Sequence, residues 1–176
     1  MNLLLFAGAG RQSEAWLQRV DASLAHQYEK TYRHSYAHWE SGAPDIDLDL
    51  EIGRLAAITE NVSPFMIFAK SAGTMLVSRA TALGILRPEA CLFTGIPLIM
   101  IRDQQLPANR WLQATEFPMT ILQHTDDPYG SYEEVKQYIA GTARTNAEVH
   151  EIPGDTHDYL EFDLIKSYAA SLLRET

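Results

Sequence analysis

Pro64-Phe65-Met66-Ile67-Phe68-Ala69-Lys70-Ser71-Ala72-Gly73-Thr74-Met75-Leu76-Val77 carries the reading of this chain. Phe65 to Ala69 is a short apolar run opened by a proline, which predicts a strand covered on both faces. From Ala72 the period changes. Met75, Leu76, Arg79, Ala80 and Leu83 recur at helical spacing, and Gly84 is placed to stop the helix. Strand and helix therefore meet at Ser71, with no residues left over for a loop. A serine so placed is held above the carboxyl edge of a sheet, at the positive end of a helix. The residues two before and two after it, Ala69 and Gly73, are small, as a close approach of strand to helix requires. Taken alone, the turn also fits a plain junction with a helix-capping serine, so the decision falls to the rest of the chain.

The chain has 176 residues, 46% of them hydrophobic and 21% charged, which fits one domain (1–176) with a sizeable core. Its formal net charge of -9 disfavours binding to nucleic acid or to an anionic membrane, and no basic cluster interrupts that balance. The one cysteine, Cys91, lies in an apolar run and reads as a buried thiol of a reducing compartment. Met1-Asn2-Leu3-Leu4-Leu5-Phe6 lacks a positive leader and is too short for a signal segment or a membrane span, so it is expected to be a first strand of a cytoplasmic protein.

Strands and helices alternate along the sequence. Strands are expected at Leu3–Ala7, Tyr32–Trp39, Phe65–Ala69, Ala90–Thr94, Met119–Gln123 and Glu148–Ile152. Helices are expected at Gln12–Tyr28, with Ser13 as a candidate cap, across Leu48 to Ile58, from Ala72, at Tyr132–Ala140 and at Tyr159–Leu173. The stretch 95–117 is longer and irregular, with a short helix expected within 105–113. Such a rhythm predicts an α/β fold: a mainly parallel six-stranded sheet with helices on both faces. Ligands bind such sheets beyond the carboxyl ends of the strands, near the point where strand order reverses.

Ala69-Lys70-Ser71-Ala72-Gly73 resembles the G-x-S-x-G nucleophile turn of the α/β-hydrolase superfamily, with alanine for the first glycine. The resemblance implies a strand order of 2-1-3-4-5-6 and a small serine-esterase-like core. Neither the antiparallel pair that usually precedes this core nor a cap domain is evident, and only residues 95–117 are long enough for a reduced lid. It also implies an acid after the fifth strand. There the family often has apolar-apolar-x-Gly-x-x-Asp-Pro, and Ile121-Leu122-Gln123-His124-Thr125-Asp126-Asp127-Pro128 matches it with His124 at the glycine and Asp127 at the acid. The adjacent Asp126 is the alternative. After the sixth strand, Pro153-Gly154-Asp155-Thr156-His157 puts His157 where the family carries its base. Ser71, Asp127 and His157 thus follow the superfamily's order of nucleophile, acid and base. The family's His-Gly-x loop after the first strand corresponds to Ala7-Gly8-Ala9, so the oxyanion donors implied are the backbone N–H groups of Ala9 and Ala72.

The implied activity is hydrolysis of a small ester, thioester or lactone through an acyl-enzyme, acting on a small-molecule acyl substrate without a cofactor or metal. Two other readings stand beside it: a catalytically silent hydrolase fold that binds a partner, and a flavodoxin-like module using the Gly8-Ala9-Gly10 loop. His34 and His38 share one face of the expected second strand, but no third ligand accompanies them, and a partly exposed polar face is expected there. Lys70 is expected to contact solvent or the loop above it, since neighbours in a tight turn point apart.

Overall fold

The structure is a computed structural model and describes residues 1–59, 62–143 and 146–175. Six parallel strands form one sheet: β1 (Asn2–Phe6), β2 (Thr31–Arg33), β3 (Phe65–Lys70), β4 (Cys91–Thr94), β5 (Met119–His124) and β6 (Ala147–Ile152). Their spatial order is β2-β1-β3-β4-β5-β6. The central registers run Leu5 beside Phe68, Ala69 beside Phe93, and Thr94 beside Leu122. Every residue of β3, β4 and β5 is buried, and apolar residues dominate β3 and β4 without alternation, as in strands covered on both faces.

Helices close both faces. α1 (Ser13–Leu24) and α8 (Phe162–Glu175) pack together on one, where Trp16 stacks on Phe68 of β3 at 5.8 Å between ring centroids. α4 (Ala72–Ala82) packs against both α3 (Leu48–Thr59) and α6 (Ala108–Gln113) on the opposite face. The remaining helices are α2 (Ala37–Ser41), α5 (Leu98–Asp103) and α7 (Tyr132–Ala140). Local chemistry marks their ends. Asp47 Oδ1 accepts from the N–H groups of Asp49 and Leu50 at the start of α3, and Ser131 and Glu134 form a reciprocal capping box on α7. No helix among the described residues is long and apolar enough to cross a membrane.

Several expectations need correcting. The second strand is only three residues long. Tyr36 is extended, and Ala37–Ser41 then turns into α2, because Glu51 of α3 takes the Ala37 N–H at 2.6 Å and His34 Nε2 at 2.7 Å. Buried side-chain acceptors thus redirect a segment whose residue pattern suited a longer strand. His34 and His38 are consequently buried rather than on a partly exposed face. The first helix ends at Leu24 and continues as a single 3₁₀ turn, and its N-cap is Gln12, not Ser13. The last helix begins at Phe162, three residues later than expected. Leu83 is exposed, since α4 ends at Ala82 and Gly84 takes a left-handed conformation, φ +72°. The stretch 95–117 contains two short helices, α5 and α6, with Leu98, Ile101, Ala108 and Leu112 buried.

Candidate active site

The turn from β3 into α4 brings strand and helix together within one residue, Ser71, whose backbone sits at φ 54°, ψ -125°. Positive φ is costly for a residue with a Cβ, and surrounding contacts hold it there. Ser71 N–H donates to the Thr94 carbonyl at 3.0 Å, extending the β3–β4 ladder past its last pair. Its own carbonyl accepts the Thr74 N–H at 2.9 Å and the Thr74 hydroxyl at 2.6 Å. Gly73 answers the crowding below: a Cβ there would lie 2.6 Å from the Ala7 carbonyl oxygen and 2.9 Å from Phe6 Cβ. The small residue two after the serine is therefore required by the backbone of β1.

β5 supplies the next side chain. Asp127 follows it, buried, and its carboxylate is fully engaged. Oδ1 accepts the Tyr129 N–H at 2.8 Å, and His157 Nδ1–H donates at 2.9 Å to Oδ1 and 2.7 Å to Oδ2. Oδ2 also accepts from the Tyr159 hydroxyl at 2.7 Å and from Gln123 Nε2 at 3.3 Å. Asp126, by contrast, is exposed, and its N–H is used by the Gly154 carbonyl. Of the two adjacent acids, only Asp127 reaches the histidine. Because a carboxylate accepts only, the His157 proton lies on Nδ1 and the lone pair on Nε2. Nε2 is buried and makes no hydrogen bond among the described residues.

His157, Ser71 and the loop after β1 line a single cavity of about 380 Å³, together with Gly8, Ala9, Gly10, Ala72, Pro97, Met100 and Tyr129. No hydrogen bond links Ser71 Oγ to His157 Nε2 among the described residues, although both residues line that cavity. The loop after β1 is anchored from behind. Ala9 carbonyl oxygen accepts His38 Nε2–H and Trp39 Nε1–H, each at 2.6 Å, and the Ala7 carbonyl accepts the Tyr36 hydroxyl at 2.7 Å. No hydrogen bond within the described residues takes up the N–H of Ala9 or of Ala72. His38 thus supports this loop, and no group of three or more metal-ligating side chains occurs among the described residues.

Three residues were not singled out in the sequence. Tyr159 is completely buried, and its hydroxyl both donates to Asp127 and accepts the His124 N–H at 3.0 Å. Burial, and after it the neighbouring Asp127 carboxylate, push this phenol well above its ordinary range, so it remains a donor. Gln123 orients three groups at once, with Oε1 accepting the Ile96 N–H at 2.9 Å and Nε2 donating to Asp127 and to the Gly130 carbonyl. Gly95 makes room for the pair of rings: at φ +63°, a Cβ would lie 2.7 Å from Tyr159 and 2.8 Å from His157. The signal in the sequence is Tyr159 itself, two residues after His157. His124, at the family's glycine position, fits because its ring lies over Gly154, where a Cβ would come within 2.8 Å, and stacks on Tyr159 at 4.1 Å.

Lys70 departs most from expectation. It is 6% exposed, not solvated, and its Nζ lies 4.6 Å from the centroid of the Trp16 ring. The side chain turns under α1 because β3 is sealed on that face. Burial pulls the ammonium down to about 8, against the opposing pull of Asp158 and Asp127.

The family model for the alpha/beta hydrolase domain matches residues 1–167. The chain belongs to that family. Solved structures of the same fold include Est1E from Butyrivibrio proteoclasticus, described with bound ferulic acid, at 16% identity and TM-score 0.72 over 98% of this chain and 89% of that one. The Pyrococcus furiosus esterase Pf2001 superposes at TM-score 0.76 with 13% identity, over 99% of this chain and 80% of its own. Mouse alpha/beta hydrolase domain-containing protein 10 gives TM-score 0.72 at 11% identity, over 99% and 90%. Among curated proteins, none matches by sequence.

Proposed function

We propose that the protein is a serine hydrolase that cleaves a small ester, thioester or lactone, with Ser71 as nucleophile, His157 as base and Asp127 as its orienting acid. One observation carries the reading. A histidine tied at Nδ1 to a buried carboxylate, its Nε2 unpartnered among the described residues, lines the same cavity as a serine held at positive φ. In this reading Nε2 takes the Ser71 proton as Oγ bonds to the substrate carbonyl carbon. The N–H groups of Ala9 and Ala72, free of other partners, receive the oxyanion. The imidazolium then returns the proton to the departing alcohol or thiol as the carbonyl re-forms. Water, deprotonated by Nε2 in turn, releases the acid and restores Ser71. The carboxylate of Asp127 stabilises the imidazolium through the bond at Nδ1. His38 and Trp39 contribute by fixing the peptide at Ala9 from outside the cavity.

Turnover of a panel of p-nitrophenyl esters and labelling by a fluorophosphonate test this reading. Ser71→Ala and His157→Ala should each reduce kcat by about 10⁴-fold or more, with unchanged circular dichroism. Asp127→Asn should be damaging while Asp126→Asn is not. Labelling that persists in Ser71→Ala, or a folded wild type without turnover or labelling, would defeat it.

A further inference from the structure

A cation buried without a partner is costly, and Lys70 is such a cation. Among the described residues its Nζ makes no hydrogen bond and no ion pair, only the contact with the Trp16 ring. Yet it is not walled off. Lys70 lines the Ser71 cavity and also an adjoining one of about 280 Å³, which shares Gln12, Ser13 and Asp158 with the first and is bounded by Trp16 and Arg19. Ser13 opens the 12-residue helix α1, so the positive end of that helix faces the same space.

We propose that Lys70 forms a subsite for a carboxylate carried by the substrate, beside the ester bond that Ser71 attacks. This rests on the hydrolase reading of the same cavity. Lys70 is the residue before the nucleophile and lines its cavity, so one small molecule spans both groups. Single-point recognition follows from the chemistry of the wall. Lys70 and Arg19 stand against one exposed carboxylate, Asp158, so this lining carries one net positive charge, which a single carboxylate matches and a dianionic phosphate exceeds. Gln12 and Ser13 supply neutral polar groups, and the Trp16 face excludes water from one side of the ammonium, which strengthens its pairing with a carboxylate. The preferred substrates are then half-esters of short dicarboxylic acids.

The test compares p-nitrophenyl hemisuccinate with p-nitrophenyl butyrate, acyl groups of equal chain length, and reads the ratio of kcat/KM. Lys70→Met should lower that ratio at least ~10-fold, chiefly through KM, as expected for loss of one hydrogen bond to a charged group. A ratio that stays put overturns the subsite. Calorimetry on Ser71→Ala, which needs no turnover, supplies the second arm. Monomethyl succinate should bind saturably, methyl butyrate should not, and adding Lys70→Met should abolish binding. Monobutyl phosphate binding more tightly than monomethyl succinate would overturn the carboxylate assignment. Binding through Lys70 without ester turnover would sink the hydrolase reading and leave the subsite standing. Turnover with no succinate binding and an unchanged ratio would do the reverse.

Discussion

Ser71→Gly separates the strain at the serine from its chemistry. The hydroxyl makes no hydrogen bond among the described residues, so deleting it costs the fold little, and Ser71→Ala is the proper reference because it keeps the Cβ. A residue with a Cβ held at positive φ costs about 1–3 kcal/mol. Glycine relieves that cost but gives back about 0.5–1 kcal/mol of unfolded-chain entropy. The net gain for Ser71→Gly over Ser71→Ala is about 1 kcal/mol, which raises Tm by about 2–4 °C in a chain of this size. Thermal and urea unfolding followed by circular dichroism, with the urea slope unchanged, measure it. Ser167, within helix α8, is the internal contrast: there glycine should be less stable than alanine by about 0.5–1 kcal/mol. Both Ser71 variants should be inactive. If Ser71→Gly is no more stable than Ser71→Ala, while the Ser167 pair behaves normally, the backbone at Ser71 stores no strain and the argument fails.

Tyr159→Phe removes the hydroxyl from Asp127 and leaves the buried His124 N–H unpaired, so it should destabilise by about 1–3 kcal/mol. It should also shift the alkaline-rising limb of the kcat/KM profile, a readout that a purely structural loss would not move. Gly95→Ala combines positive φ with contacts below 3 Å to the rings of Tyr159 and His157, and should lower both stability, by about 1–3 kcal/mol, and activity; an active, stable Gly95→Ala would refute that packing. For Lys70 the sign follows from linkage. Its ammonium titrates at about 8 in the folded chain and 10.5 in the unfolded one, so the unfolded chain binds more protons between those values and wild-type stability rises across that window. Lys70→Met should therefore be the more stable protein below pH 8, by on the order of 3 kcal/mol before loss of the Trp16 contact, and the gap should close by pH 10.5. A pH-independent difference would show that burial does not depress this amine.

The alternation of strands and helices and the tight turn at Ser71 were legible from sequence because they follow from local rules, whereas the strand order and the selection of Asp127 and His157 came from the resemblance to the α/β-hydrolase superfamily. Apolar runs of strand length, helical periods and small residues at a tight junction are properties of neighbours along the chain. The position of Pro128 favoured Asp127 but left Asp126 as an alternative, and the hydrogen bonds from His157 to Asp127 distinguish the two. What the sequence could not contain was the surroundings of each group. Tyr32 to Trp39 suits a strand by pattern, but Glu51, 14 residues from Ala37 and 17 from His34, offers acceptors to both and turns the chain into α2. Lys70 ends the apolar run from Phe65 to Ala69 and would reach water at the end of an open strand, yet Trp16 of α1 lies against its ammonium. Tyr159 finds Asp127 from 32 residues away because the loop after β6 folds across the end of β5. Periodicity and turn chemistry act between neighbours, so the chain alone determined the sheet and the rim on which the polar groups stand. Burial and hydrogen-bond partnership are set by segments distant in sequence, so only the tertiary structure decided which carboxylate the histidine holds and which cation faces the cavity unpaired.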